Sequence, residues 1–581
     1  MNEFDKNFHI NFSPLYFAFA VMMFMLWSSE VQGSDIEEVV VTAQQVETKK
    51  ADPISSSRVI SAIVSDFTYS PGGYGGFVGY NERGAQTIHT SVIVNGIPAN
   101  DPGSGWYDFG HDFASGQTVK VVSGANGVLY GSGSIAGTVL IQDTIDTGAL
   151  LRLEDGKEIN YIRLAPIEQF ELSYVADDMD SVRNDNDEED EYTNTTARFN
   201  VDAGDFVLVG KFTDYEYDYD NCYAFDFSTS NDCVQDGERY SVSIRNDYIT
   251  LGRNYSNSEY ATNESITYTN ESYRDFLRIG NSQELSKFAD ITYGIDVEKL
   301  AYNTDFFTSE TESTVEKYTD DNYGAYISAN IDLILSYNFG IRVGNDDQNA
   351  LRLGIEKGPW YFNVGNSFRK PNLYEKFGDG YVNASPDLDS EEGVGYELGF
   401  GALSIYHYEF EQTILYQPAF ATTIIIEPAS IDPETGLEIP AVTEEIWTDP
   451  TYYNGGEYDT TGVRFANTLG PISWSFKYTD TEQPRVPKYS ASIDYMQVVR
   501  DVNLRIKYAV NLDRVPSEFD VLPEGQNFLD DLHKVNFYAT KKLENFVISF
   551  KIENLLDEEY EVVPFYPNQG REYYLTLAYN W

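Results

Sequence analysis

The chain ends on a strand with one face for lipid and one for water. In Arg571 to Trp581, Tyr573, Leu575, Leu577, Tyr579 and Trp581 fall on one side, and Glu572, Tyr574, Thr576, Ala578 and Asn580 on the other. The same two-residue period sets Ile472, Trp474, Phe476 and Tyr478 against Ser473, Ser475, Lys477 and Thr479. It sets Val502, Leu504, Ile506 and Tyr508 against Asn503, Arg505 and Lys507, and it recurs through Tyr323 to Ala329 and Phe546 to Glu553. In a soluble sandwich these apolar faces would have to meet one another. A barrel closed in a bilayer leaves them all outward and keeps Lys, Arg and Glu in a wet lumen. A Lys or Arg turned to the bilayer midplane costs about 2–4 kcal/mol, so the alternation is enforced. Taken alone, the terminal strand also fits a half-buried strand of a soluble sheet; its repetition favours the barrel.

Composition narrows the compartment. Aromatic residues make up 15% of the chain, with 45 Tyr against 6 Trp, as two interfacial girdles require of rings with a polar tip. No apolar run is long enough to span a bilayer as a helix. The longest, about residues 14–27, precedes Val31-Gln32-Gly33, a small-residue cleavage site, so residues 1–33 are expected to be a secretory signal peptide. Lys6 is offset by Glu3 and Asp5, which leaves an unprocessed anchor as the alternative. A net charge of -54 argues against nucleic acid and against an anionic membrane surface as partners. The two cysteines, Cys222 and Cys233, lie close together in a Tyr/Asp-rich segment. A disulfide between them would stabilise the loop by about 3 kcal/mol on the chain-entropy account and needs an oxidising compartment such as the periplasm. A free pair of thiols is the alternative.

The chain divides by composition. Residues 34–50 form a leading linker, and residues 51–145 are dense in glycine with short strands at Ser91 to Val94, Val119 to Val122 and Thr138 to Ile141, which predicts a small mixed domain with tight turns. Residues 146–581 read as strands and turns. At roughly twenty residues per strand and connection they allow about 22 strands, a lumen wide enough to need a plug. The expected fold is an all-β membrane protein, a transmembrane antiparallel β-barrel with an N-terminal plug domain inside it. Three polar stretches, Asp177 to Tyr192, Thr213 to Arg239 and Gln417 to Asp459, are expected to be external loops.

Enzyme chemistry finds little support. Gly131-Ser132-Gly133-Ser134-Ile135-Ala136 fits G-x-G-x-x-A, yet Thr138 to Ile141 behind it is a strand where a dinucleotide fold needs a helix. None of the five histidines is paired at metal-ligand spacing, and His111 beside Asp108 and Asp112 is expected to be a plug-surface group. A passive porin is the rival within the barrel class.

Ile36-Glu37-Glu38-Val39-Val40-Val41-Thr42-Ala43 resembles the TonB box that opens mature TonB-dependent outer-membrane receptors, and it stands just after the expected cleavage site. Its β-branched run suits a segment that adds as a strand to a partner's sheet. Arg83-Gly84, Val92 to Pro102, Val119 to Gly124 and Leu129 to Gly137 resemble that family's plug motifs in order; Phe368 to Glu375, Tyr396 to Gly399, Ile552 to Asp557 and Gly570 to Glu572 are similar to its barrel motifs. Only about forty residues separate the box from Arg83, so part of the family's early plug is expected to be missing or replaced by the glycine/tyrosine stretch Ser70 to Tyr80. The resemblance implies a monomeric receptor of the bacterial outer membrane, seated in its lipid. It implies a TonB partner with its inner-membrane energising complex, and import of a scarce, bulky solute.

Within the family the cobalamin receptors are the nearer resemblance, through Tyr560 to Tyr573 and through acidic early loops. That likeness implies calcium held by Asp185 and Asp187 from one loop and by Asp218 and Asp220 from the next; a solvated acidic loop is the alternative reading. Ferric siderophores are the alternative ligand. An aromatic apex of Tyr74, Trp106 and Tyr107 would suit either. No other cofactor is expected.

Overall fold

The computed structural model describes residues 46–50 and 76–581, except 113–116, 155–157, 181–188, 220–221, 224–228, 231–232, 263–264, 308–311, 315–316, 347, 428–429, 432–437, 440–441, 518–519, 521, 523–524, 560, 564–565 and 568–569. The expected signal peptide and the box at Ile36 to Ala43 lie outside the described residues, as does the part before Gly76 of the stretch Ser70 to Tyr80.

A closed barrel of 22 antiparallel strands surrounds a plug sheet. The first barrel strand, Gly148–Glu154, pairs with the last, Glu572–Tyr579, with Leu153 opposite Leu575 and Leu151 opposite Leu577. Closure leaves no edge for another chain to extend. One rim carries two-residue turns, such as those opened by Gly204 and Gly358, whose positive φ of 71° and 57° suits glycine at a tight hairpin. The other rim carries the long connections. Short turns mark the periplasmic rim of such a barrel, and the chain's C-terminus lies on that side.

The alternation read from the sequence is the alternation observed. In the terminal strand Tyr573 and Leu577 face outward, while Tyr574, Thr576 and Ala578 are buried toward the lumen. Ile327, Ile493 and Ile506 likewise stand on the outer face, where water-exposed apolar surface is lipid-facing surface. The expected external loops need correction. Thr213 to Tyr219 is ladder, paired with Cys233 to Arg239, and Thr451 to Asp459 pairs with Glu409 to Gln417 around a bulge. Asp177 to Asp180 pairs with Glu189 to Tyr192. Above the bilayer both faces of a strand meet water, so polarity there does not distinguish strand from loop. Cys233 is disulfide-bonded, and the side chain of Cys222 lies outside the described residues.

The plug sheet has the order Val46–Lys50, Thr118–Ser123, Gly137–Gln142, Thr90–Val94, Ile97–Pro98, and Thr90–Val94 runs parallel to Gly137–Gln142. The three strands expected from the sequence are its centre. Val78, Val92, Val94, Phe109, Val119, Val121, Val139 and Ile141 form its core. Gly137–Gln142 also removes the dinucleotide-fold reading, since a strand follows the glycines. Plug and wall approach closely where the wall lacks side chains: a Cβ on Gly393 would collide with Ile135, and one on Gly252 with Ile97.

Apolar patches also span that interface, Val128 and Leu129 against Tyr326 and Phe368, and Ala85 and Ile135 against Tyr406 to Phe410, and polar contacts join them. Arg83 of the plug pairs with Glu397 at 2.7 Å and donates to the Tyr408 hydroxyl at 2.8 Å. His89 lies 2.6 Å from Glu391, which also takes a two-pronged bond from Arg369. Arg198 of the wall reaches Asp143 at the plug's exit, at 3.1 Å. All of these groups are buried.

Candidate functional site

The outward end of the plug is a rigid floor built from local sequence. The floor is anchored from the plug's inner end, where, beside the short wall turn after Arg245, Asn95-Gly96 turns the chain between Thr90–Val94 and Ile97–Pro98 with φ of 51° and 88°, the two left-handed positions of a tight hairpin that favour Asn-Gly. Asn95 is clamped by donating to Asp143 at 2.6 Å. Beyond the hairpin, Asn100 accepts from the Val92 amide at 2.7 Å, and Asp101 accepts from the amides of Gly103 and Ser104, both at 2.8 Å. Short polar side chains that bond their own backbone fix a loop without needing a core.

The wall grips this loop. Asn372 caps the short helix Leu373–Phe377, and Glu375 bonds back to it, a reciprocal capping box. The Leu373 amide donates to the Pro102 carbonyl at 2.9 Å, and the Asn372 side chain donates to the Ser104 carbonyl at 3.0 Å. Arg274 donates to the Asn100 carbonyl at 3.0 Å, and Ser272 bonds the Asp101 carboxylate.

Above the floor lies a vestibule of about 620 Å³, open to the side of the long connections. Trp106, 41% exposed, stands in its floor with Phe77 against it at 5.1 Å between ring centres. Tyrosines make the walls: Tyr107 from the plug, and Tyr217, Tyr268, Tyr302, Tyr374 and Tyr452 from the barrel. Tyr374 packs edge-on between Tyr302 and Tyr452, at 6.3 and 6.0 Å. Burial and the nearby Asp143 and Asp108 push the Tyr107 phenol up, against the pull of Arg239, so it stays a neutral donor and bonds Asp112.

The charged groups of the vestibule are matched to one another. Asp108 pairs with Arg239 at 3.2 Å, Asp112 with Lys211, and Glu375 with Arg369 at 2.8 Å. Asp101 is consumed by the loop it shapes. What remains for a ligand is aromatic surface and hydroxyl groups, with the side chain of Asn270 among them, while the Asn254 amide donates to the Pro98 carbonyl. Such a lining binds by stacking and neutral hydrogen bonds.

The expected site residues fare unequally. Trp106 and Tyr107 come together in the vestibule; Tyr74 lies outside the described residues. Asp185, Asp187 and Asp220 also lie outside them, and Asp218 sits near the outer end of Phe206–Tyr219, accepting from the Glu191 amide at 3.4 Å. Its neighbour Tyr217 lines the vestibule, so Asp218 points the other way. Among the described residues no three His, Cys, Asp or Glu side chains converge on one point. His111 stands on the plug surface where the wall covers it, buried and stacked on the wall's Tyr215 at 3.5 Å and 3.4 Å from Asp108. Sequence reasoning missed the wall tyrosines, although parity with lumen-facing neighbours was a signal for Tyr217. It also missed Asn372 and Glu375 as a cap, although N-x-x-E before a short apolar run is its signature.

A plugged barrel of this strand number, with a ligand-sized vestibule over the plug, defines an outer-membrane receptor. A model of the TonB-dependent receptor-like β-barrel matches residues 141–555, and one of the TonB-dependent receptor plug domain matches residues 31–138. The chain belongs to the TonB-dependent receptor family and resides in the outer membrane. It is 22% identical to the vitamin B12 transporter BtuB of Vibrio cholerae, over 94% of this chain and 95% of that one. The siderophore receptor PirA of Acinetobacter baumannii shares the fold with a TM-score of 0.65 at 13% identity, covering 92% of this chain and 98% of that one. A mutant ferric enterobactin receptor of Pseudomonas aeruginosa gives 0.63 at 12%, covering 93% and 100%.

Proposed function

We propose that this receptor imports cobalamin, with the force for release delivered by TonB through Ile36 to Ala43. The observation that carries the reading is the matched charge of the vestibule, with Asp108, Asp112 and Glu375 each neutralised in place. A corrinoid is bulky, flat-faced and fringed with neutral amides, which phenols and Asn side chains satisfy. An anionic ferric chelate asks instead for unmatched cations. The similarity to vitamin B12 transporters over nearly the whole chain supports the same ligand. Calcium at Asp185, Asp187, Asp218 and Asp220 is part of the proposal, as an element that orders the outer loops.

The test is equilibrium binding of cyanocobalamin to detergent-purified protein, with millimolar calcium and with chelator. Saturable binding that weakens on chelation supports ligand and metal together. Binding indifferent to chelation keeps cobalamin and removes the calcium. No binding in either buffer removes cobalamin and makes ferric siderophores the next ligands to titrate.

A further inference from the structure

A second cavity, about 1230 Å³, lies between the plug and the wall formed by Thr451–Leu469, Ile472–Thr481, Pro487–Val499 and Val502–Arg514. It reaches inward to Thr468 and Ser473, beside the inner turn that follows Leu469. Phe77, Ile88 and Trp106 line both this cavity and the vestibule, so the two compartments meet at those three side chains.

On the far side the plug is sealed to the wall. Val128 and Leu129 pack with Tyr326 and Phe368, and Arg278 donates to the Leu129 carbonyl at 3.1 Å. The wall of the cavity is of another kind. Thr468 bonds Ser473 at 3.0 Å and Ser475 bonds Ser492 at 2.8 Å, each pair in register on adjacent strands, so small hydroxyls satisfy one another. Asp494 is held by Arg505 at 2.9 Å, and Arg485 by Asp520 at 3.0 Å. A solute in transit needs such a face, one without a strong site to arrest it.

The outer end of the cavity is roofed. The Arg485 amide donates to the Val515 carbonyl at 2.6 Å, and the Val515 amide to the Val486 carbonyl at 3.2 Å. Arg514 spends its guanidinium on the carbonyls of Asp530, at 2.8 Å, Glu561, at 2.9 Å, and Val562, at 2.7 Å. Three outer connections are thereby tied together above it, and the way in from outside is the vestibule floor. The backbone of that floor is fixed: the Asp101 amide donates to the Trp106 carbonyl and the Gly105 amide to the Asp101 carbonyl, both at 2.8 Å, and Asn372 holds Ser104 from the wall. The Trp106 indole can turn without breaking any of these backbone bonds. We propose that Phe77, Ile88 and Trp106 form a gate, with Trp106 as its moving part, between the vestibule and a solute passage that runs along this wall to the inner turns. The proposal rests on import through the barrel and not on which solute is carried.

The test is labelling of intact cells by a membrane-impermeant maleimide too bulky for porins. The full-length receptor carries either Ser492→Cys in the passage or Ser328→Cys on the sealed wall, buried beside Val128 of the plug. The native chain, with Cys233 already in a disulfide, is the blank. Ser492→Cys is expected to react slowly while Trp106 is present and about ten-fold or more faster with Trp106→Ala. Ser328→Cys is expected to stay unlabelled in both backgrounds. Heat-modifiable gel mobility verifies that each barrel is closed. Equal rates at Ser492→Cys with and without Trp106, or no labelling there in either, overturn the gate. Labelling of Ser328→Cys to the same extent means that the whole plug has loosened, and overturns the passage. Cyanocobalamin takes no part, so failure of the cobalamin reading leaves this result standing.

Discussion

Plug and wall solve the same problem, holding a β-sheet together, by different means. The wall is a continuous ladder with no edges, and its apolar side chains face lipid, so each strand is fixed on both sides by backbone bonds. The plug has a valine-rich core of its own and meets the wall through buried polar contacts such as Arg83 with Glu397 and His89 with Glu391, and through two apolar patches, Val128 and Leu129 against Tyr326 and Phe368, and Ala85 and Ile135 against Tyr406 to Phe410. Polar contacts can be exchanged for water, whereas the apolar patches cannot be opened without loss of burial. Because the plug's main sheet packs on its own core, it can rearrange as a unit while the barrel stays closed, at the cost of those patches.

Breaking the coupling should produce the largest effect. Val40→Pro removes a donor from the segment read as a strand for TonB, so uptake is expected to be abolished with ligand binding unchanged; uptake at the native rate would refute the box assignment. Next comes the attachment itself. Glu391→Ala removes the carboxylate partner of His89 and one of the two carboxylates that hold Arg369 in a buried site, and should loosen the docked plug by about 3–5 kcal/mol, seen as a plug transition at lower urea while the barrel remains heat-modifiable. If plug and wall instead unfold together at the native midpoint, they are one cooperative unit and the contrast fails. On the wall, Ile506→Lys puts a charge on the lipid face and should cost about 2–4 kcal/mol of barrel stability without moving the plug transition. The smallest effect sharpens the comparison from inside the plug: Ile141→Val trims its core and should lower only the plug transition, by about 0.5–1.5 kcal/mol.

Much of this was written in the order of the residues. Tyr573, Leu575 and Leu577 alternate with Tyr574, Thr576 and Ala578 because the bilayer accepts no other arrangement, and that constraint is local to each strand. Strand number followed from length, and the plug strands followed from short apolar runs between glycines. The polar spans were misread as loops because Thr213 to Tyr219 rises above the membrane, where no apolar face marks a strand.

The site was legible only in part. Trp106 and Tyr107 could be singled out because aromatic residues on a glycine-rich plug have little core to fill. Tyr268, Tyr302, Tyr374 and Tyr452 come from distant strands and a helix, and only closure of the barrel brings them over the plug floor. The same holds for charge. A net charge of -54 is a property of the sequence alone, but the neutral vestibule depends on which Asp meets which Arg or Lys. Periodicity fixes which face a residue takes, because that is set two residues at a time. Which faces meet across the lumen is set by the register of every strand around the ring, and only the closed structure decides it.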